Sequence, residues 1–302
     1  MTNQLTSRSA WIKHLGYSVF QFFATMVLFC YLITFLPDSQ LLDKSQTERF
    51  TEYLLILLTL DFGYSTLYGD PIWEIVLDSG IKTLFLILTS IAFIILFTVP
   101  MSMYSAYNND HILSRLLNKA LFIISSVPIL VVAIIIVALS VSLLGIVPEF
   151  NLFYDGNNVQ KVAVLTLPLF AIIIGDGILF SIFETLQDKI KKIKSEPWVK
   201  GIKARGGNIN KHLVRGITES MIVSVTGKIS FLISGIIVVE LVFNWQGLGF
   251  ILLDIFSQSS QRDYALLIAV MALILLFVQA SGFIRRFTIM KMNPEKKYSS
   301  AA

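Results

Sequence analysis

Charged residues are scarce in this chain. They make up 15% of its 302 residues, against 55% hydrophobic, where a soluble globular protein carries about 25%. With a mean hydropathy of +0.73, that deficit excludes a soluble domain of ordinary composition and points to a chain that sits in lipid. Cysteine is nearly absent too. Cys30 stands alone inside an apolar run, which excludes an intramolecular disulfide. The three histidines, His14, His111 and His212, lie far apart in segments flanking apolar runs, so no metal site is expected. The net charge of +4 sits in loops beside apolar runs rather than on one face, so no nucleic-acid partner is expected either.

Catalytic motifs are missing as well. The nearest approach to a phosphate-binding Gly-x-x-x-x-Gly-Lys-Ser/Thr is Thr226-Gly-Lys-Ile-Ser230, with Ile222 at the upstream glycine position and the hydroxyl misplaced. Neither a Gly-x-Ser-x-Gly elbow nor His-Glu-x-x-His occurs. The chain reads as a non-enzyme with no cofactor of its own. If ATP drives it, separate subunits bind ATP-Mg and hydrolyse it.

Long apolar runs are what the sequence has in abundance. A bilayer is spanned by about 20 apolar residues, and six runs qualify: Gly16–Leu36, Ile81–Tyr104, Ala120–Val147, Val162–Phe183, Ile217–Phe243 and Tyr264 to Phe283. The first follows Arg8, Lys13 and His14 and exceeds a signal peptide's apolar region of roughly 7–15 residues, so it is expected to be a retained helix entering from the cytosol. Tyr53–Leu60 is too short to span and is expected at the membrane interface or under its loop. Ser126-Val-Pro128 falls inside the third run, where a proline permits a kink. Tyr107–Asn118 is expected as a short polar loop.

Charge sets the orientation, because Lys and Arg beside spans stay cytosolic. The stretch from Asp188 to Arg215 carries nine basic residues against Asp188 and Glu196, so it faces the cytosol. Asp38–Gly80 and Pro148–Gln160 are acidic and suit external loops. Six spans with both termini inside satisfy the bias at every loop. Within the basic stretch, Trp198-Val-Lys-Gly-Ile-Lys-Ala-Arg-Gly206 predicts a short helix, stopped by Gly206-Gly207, that exposes an aromatic for docking in another protein's groove.

Several segments resemble one family. Lys200-Gly201-Ile202 and Gly206 stand at the positions of a Glu-Ala-Ala-x-x-x-Gly cytoplasmic loop. Asp61-Phe-Gly-Tyr-Ser65 is similar to an Asp-Phe-Gly-x-Ser segment before the second helix, and Ser126-Val-Pro128 to a Ser-Ile-Pro in the third. Val238-Val-Glu-Leu-Val-Phe-Asn-Trp-Gln-Gly-Leu-Gly249 matches Val-Val-Glu-x-Val-Phe-x-Trp-x-Gly-Leu-Gly, with Gln246 where proline is usual. Asn293-Pro294 stands where the family ends in Asp-Pro. These segments resemble the inner-membrane permease subunits of ATP-driven, binding-protein-dependent importers, in their oligopeptide/dipeptide branch. The region 38–60 and Glu149–Asp155 look most like the Sap-type subunits associated with antimicrobial peptides.

The resemblance implies an all-α type I ABC importer permease in the bacterial inner membrane, with six spans and cytoplasmic termini. Residues 1–80 would form an N-terminal helix and external loop, and 81–302 the core, with a coupling loop at 188–215. It implies a second homologous permease, two cytoplasmic ATPases, an external substrate-binding protein and a peptide substrate. Trp198, Lys200, Gly201, Ile202, Arg205 and Gly206 would form the ATPase-coupling loop. Nickel and sugar importers share this architecture. Asp176, Lys228 and Glu240 are the intramembrane charges that stand as candidates for the translocation path. Counting from Asp188 and Arg215 puts Asp176 and Lys228 at similar mid-membrane depth, with Glu240 near the external mouth. They read either as a structural Asp176–Lys228 bridge or as groups lining the translocation path. In a self-sufficient secondary transporter or channel the three would act as an ion relay.

Overall fold

Apolar runs of this length must satisfy their backbone groups internally, which in lipid favours helices. The computed structural model describes residues 2–36, 44–145, 157–206, 210–257 and 262–292. Among these residues the regular structure is helical, with a lone β-bridge between Tyr64 and Pro71. The helices are α1 (Thr2–Ile33), α2 (Gln46–Thr59), α3 (Ile72–Tyr107), α4 (Ile112–Ser125), α5 (Ile129–Leu144), α6 (Asn158–Ile174), α7 (Ile178–Ser195), α8 (Pro197–Ala204), α9 (Asn210–Val242), α10 (Leu248–Ser257) and α11 (Tyr264–Met292), with a 3-10 turn at Gly175–Gly177. Five stretches are long and apolar enough to cross a membrane: Leu15–Ile33, Ile72–Tyr107, Asn158–Ser195, Gly216–Val242 and Tyr264–Ile289. The α4–α5 pair, bent by 95°, makes a sixth if counted as one span. Of the sequence expectations, 37–43, residues 148–156 of the expected loop 148–160, Gly207 and Asn293-Pro294 lie outside the described residues.

The described chain forms two compact units, one of Met1–Leu84 with Gln246–Phe283 and one of Phe85–Trp245 with Ile284–Ala302. In the first, the short apolar run is part of α2. Ser45 starts this helix through a capping box, its hydroxyl accepting the Glu48 N–H (3.3 Å) while the Glu48 carboxylate accepts the Ser45 N–H (2.8 Å). That backbone hydrogen bond, then the Ser45 hydroxyl, holds the Glu48 carboxyl below its ordinary value. Fourteen residues make about 21 Å of helix, short of a hydrocarbon core of about 30 Å. α2 buries Tyr53, whose ring stacks on Tyr264 at 5.5 Å, and exposes Leu55 and Leu58.

The Asp61–Ser65 segment closes on itself. Gly63 and Gly69 adopt φ of 67° and 76°, values that favour glycine. The Ser65 N–H donates to Asp70 (2.8 Å) and the Gly69 N–H to Ser65 (2.9 Å). Asp263 then fixes the loop to α11. Its Oδ2 accepts the Ser65 hydroxyl (2.7 Å) and the Thr66 N–H (2.8 Å), and its Oδ1 accepts the Leu266 N–H (2.9 Å), capping the helix.

In the second unit one expectation is corrected. Tyr107–Asn118 is not a loop: α4 begins at Ile112, with His111 Nδ1 accepting the Leu113 N–H (3.3 Å). The third apolar run bends where its proline permits a kink, α4 and α5 breaking at Ser126-Val127-Pro128. Pro128 has no N–H to donate, and the residue before a proline is biased away from the helical region. A buried polar cluster ties α3, α4 and α7 together. The Ser105 hydroxyl meets that of Ser114 (2.7 Å) and accepts from Asn118 (2.8 Å) and from the Gln187 amide.

Candidate functional site

The basic stretch folds as the tip of a helical hairpin. A Cβ on Gly216 of α9 would lie 2.6 Å from Ile193 of α7, and one on Gly235 would lie 3.9 Å from the Asp176 carboxylate. These two meeting points fix α7 and α9 as antiparallel. The Asp188–Ser195 part of the stretch is helix, continuing α7. α8 follows after Glu196, whose extended backbone (φ −63°, ψ 137°) turns the chain, and Pro197 opens the new helix at a position that wastes no donor.

Eight residues make α8 about 12 Å long. Val199 is fully buried, Trp198 is 44% exposed, Gly201 and Arg205 are exposed and Ile202 is half-buried. Lys200 lies in the middle of α8, which ends at Ala204. Gly206 has φ 68°, the left-handed stop that the sequence predicts. The six residues of the expected coupling loop therefore all lie on one short helix and the two residues that follow it. The last turn of α7 adds Lys192 and Lys194, cations placed at the negative end of its dipole. Lys194 also lies over the Tyr107 ring at 4.1 Å.

The charges in the spans are arranged differently from the sequence expectation. Asp176 sits in the turn between α6 and α7, with φ 53°. Its Oδ1 accepts the Ile129 N–H at 3.0 Å, and its own N–H donates to the Val127 carbonyl at 3.4 Å. The carboxylate thus caps α5 from another helix. A side-chain cap contributes about 1 kcal/mol, and a negative charge at a helix N-terminus adds about 0.3–1 kcal/mol. Close backbone approach makes this possible. A Cβ on Gly175 would lie 2.7 Å from Ile129 Cα, and one on Gly177 would lie 3.1 Å from the Ser125 carbonyl.

The expected Asp176–Lys228 bridge does not form. Both residues are described, and Asp176 bonds instead to the backbone of Ile129 and Val127. The cause is register. Asp176 is level with Gly235, seven residues and about 10 Å along α9 from Lys228. Lys228 instead lies over the Phe231 ring at 5.4 Å. Its neighbour Gly227 is level with Arg285, whose guanidinium is 3.5 Å from where a Cβ would stand. Counting inward from Asp188 and Arg215 misplaced both charges because α7 runs on to Ser195, and it is Ile193 rather than Asp188 that lies level with Gly216.

Glu240, in the second unit, is fully buried. The Trp245 N–H donates to its carbonyl (2.8 Å), and Trp245 stacks on Phe85 at 6.3 Å. The left-handed residue of this turn is Asn244 (φ 52°), not Gly247 or Gly249. In the first unit, Tyr68, Asp70, Glu74, Asp78, Lys82 and Gln246 line an open cleft of about 420 Å³. The Tyr68 hydroxyl donates to Asp254 at 2.5 Å. Burial, then Asp254, pushes that phenol well above its ordinary value. Sequence reasoning missed the Ser105–Gln187 cluster and the Ser65–Asp263 link. Polar side chains in apolar surroundings were the available signal, but their partners lie up to 198 residues away.

Known proteins share this sequence pattern. The oligopeptide transport system permease protein AppB of Bacillus subtilis is 22% identical over 85% of this chain and 82% of its own length. The glutathione transport system permease protein GsiC of Salmonella typhimurium is 25% identical over 74% of this chain and 70% of its own. The metal-staphylopine import system permease protein CntB of Staphylococcus aureus is 23% identical, over 67% of this chain and 63% of the relative. Residues 98–288, which run from the second half of α3 to the end of α11, match one family along their whole length. With that match covering well over half of a chain built from membrane-spanning helices, the protein belongs to the binding-protein-dependent transport system inner membrane components.

Proposed function

We propose that this chain is the permease subunit of an ATP-driven peptide importer with the type I architecture. Both termini face the cytosol, and α4–α5 counts as one bent span, giving six. The observation that carries the reading is α8, a short helix with an exposed Trp198 at the tip of a basic hairpin. A helix of this kind suits a groove on a cytosolic ATPase. Two such ATPases would hold ATP-Mg, a second homologous permease would complete the path, and an external binding protein would deliver the cargo. ATP shifts the equilibrium only if it binds one conformation better, and α8 conveys that bias to the spans.

Peptide cargo follows from the oligopeptide and glutathione systems among the relatives; the metal-staphylopine system makes a small metal chelate the alternative. A self-sufficient transporter with Asp176, Lys228 and Glu240 as an ion relay loses its support, because Asp176 serves as a helix cap and Lys228 is about 10 Å away along α9.

The test is purification in mild detergent followed by coupled assays. ATPase subunits co-purify with the wild-type chain. Trp198→Ala and Gly206→Asp leave the chain abundant in the membrane but abolish uptake and transport-coupled ATP hydrolysis. Among the described residues nothing lies within 4 Å of a Cβ at Gly206, and Asp is one of the few residues that visit its left-handed backbone (φ 68°), so a surface loop without a partner keeps its place at a cost of at most about 1–2 kcal/mol. Normal uptake by Gly206→Asp at normal abundance overturns the assignment.

A further inference from the structure

We propose that Asp176 is a positioning residue of the transport cycle, the link through which movement of α8 reaches α5. The proposal rests on the permease reading above. α8 is joined to α7 by Glu196 alone, and α7 is an unbroken helix of 18 residues, about 27 Å long. Such a rod carries a displacement of its cytosolic end to its other end, which is the turn at Gly175–Gly177.

At that turn the chain has little freedom to absorb the displacement. The Asp176 carboxylate holds the first N–H of α5, and its main chain holds the carbonyl of Val127. Gly175 and Gly177 bring the turn against the backbone of Ile129 and Ser125. The first turn of α5 therefore follows the end of α7. On its other side α5 is released, because the 95° break at Pro128 interrupts the helix that leads into it. A cleft of about 180 Å³, lined by Ser125, Gly177 and apolar side chains including Phe97, Met101 and Phe180, leaves room beside the joint. The carboxylate is the one side chain of the turn that holds the first N–H of α5, beside the close backbone approach of Gly175 and the bond from the Asp176 N–H to Val127.

The backbone at Asp176 (φ 53°) allows the cap to be separated from the charge. Asn tolerates this conformation and keeps an acceptor for the Ile129 N–H while losing the charge. Gly also fits the conformation but has no acceptor. The experiment uses the complete transporter, with its ATPases, in nanodiscs, on a Cys30→Ser background. Spin labels at Ile134→Cys on α5 and Thr185→Cys on α7, both exposed positions, report the distance between the two helices with and without ATP and vanadate. In the parent and in Asp176→Asn the two helices move together, giving one narrow distance in both nucleotide states. In Asp176→Gly the distance broadens and becomes dependent on nucleotide, because α7 moves without α5.

A narrow, unchanged distance in Asp176→Gly overturns the proposal. So does broadening in Asp176→Asn, which assigns the role to the charge rather than the cap, and this second arm stands even if Asp176→Gly fails to assemble. Failure of the permease reading shows separately, as absence of ATPases from the purified parent before any distance is measured, and it removes the proposal with it.

Discussion

Gly175→Ala tests the packing of the Gly175–Gly177 turn on α5 with a single methyl group. The new carbon would lie 2.7 Å from Cα and Cβ of Ile129 and 2.8 Å from its Cγ1. Carbon–carbon contacts sit at about 3.5–4.0 Å, so a gap of about 1 Å has to open. Two of the three struck atoms cannot move aside by a rotamer change, so the start of α5 must shift as backbone. Gly175 has φ −70°, which any residue adopts, so the cost is steric rather than conformational. Overpacking of this kind costs about 1–3 kcal/mol, and stretching the neighbouring Asp176–Ile129 hydrogen bond puts about 1 kcal/mol more at risk.

Three controls isolate the cause. Gly201→Ala in α8 meets open space and is neutral or stabilising by up to about 1 kcal/mol. Gly145→Ala also meets open space but has φ 61°, so it costs about 1–2 kcal/mol of left-handed strain alone. Gly235→Ala strikes the far end of the Ile129 side chain at 2.9 Å, which can rotate away, so its cost falls below that of Gly175→Ala. The assay is the thermal unfolding midpoint in one detergent for all four variants. The order expected is Gly175→Ala lowest and Gly201→Ala highest. If Gly175→Ala unfolds together with Gly201→Ala, the close packing of the turn on α5 is wrong.

Asp263→Ala removes the acceptor for the Ser65 hydroxyl and for the Thr66 and Leu266 N–H groups in a buried site. Each hydrogen bond to a charged group contributes about 1.5–3 kcal/mol, so the variant unfolds at a much lower temperature or fails to accumulate; a midpoint near the parent's refutes the linkage. Tyr68 titrates above the ordinary value in the fold, so its neutral form is favoured there. Stability is then full below the unfolded tyrosine value of about 10 and falls as pH rises beyond it. Tyr68→Phe reduces that alkaline loss between pH 9 and 12 in denaturation scans, while an unchanged slope removes Tyr68 as its source. A cysteine placed at Asn157, on a Cys30→Ser background, is labelled from outside intact cells by an impermeant reagent, because Lys and Arg concentrate on the opposite side. Labelling only after permeabilisation inverts the topology.

The sequence by itself determined the elements whose causes are local. A run of about 20 apolar residues dictates a spanning helix whatever its neighbours do. Capping boxes of Ser45 with Glu48 and Asn157 with Gln160, each complete within four residues, start α2 and α6 earlier than the apolar runs at Tyr53 and Val162 suggested. The extent of α8 and its stop at Gly206 were legible because their causes are local. Pro128 announced an interruption in the third run, but its 95° angle depends on what occupies the break.

Only the tertiary structure decided the pairings made between distant residues. Asp176 finds Ile129 across 47 residues and Asp263 finds Ser65 across 198, and no periodicity records a contact of that separation. Lys228 could not be placed by counting from the ends of the polar stretch, because α7 extends into it as far as Ser195, and the packing of α7 on α9 sets Ile193 beside Gly216 and Asp176 beside Gly235. The same holds for the turn after α9, where Asn244 rather than a glycine takes the left-handed conformation. Local chemistry names the candidates for a role, and the packing of helices around them selects which residue fills it.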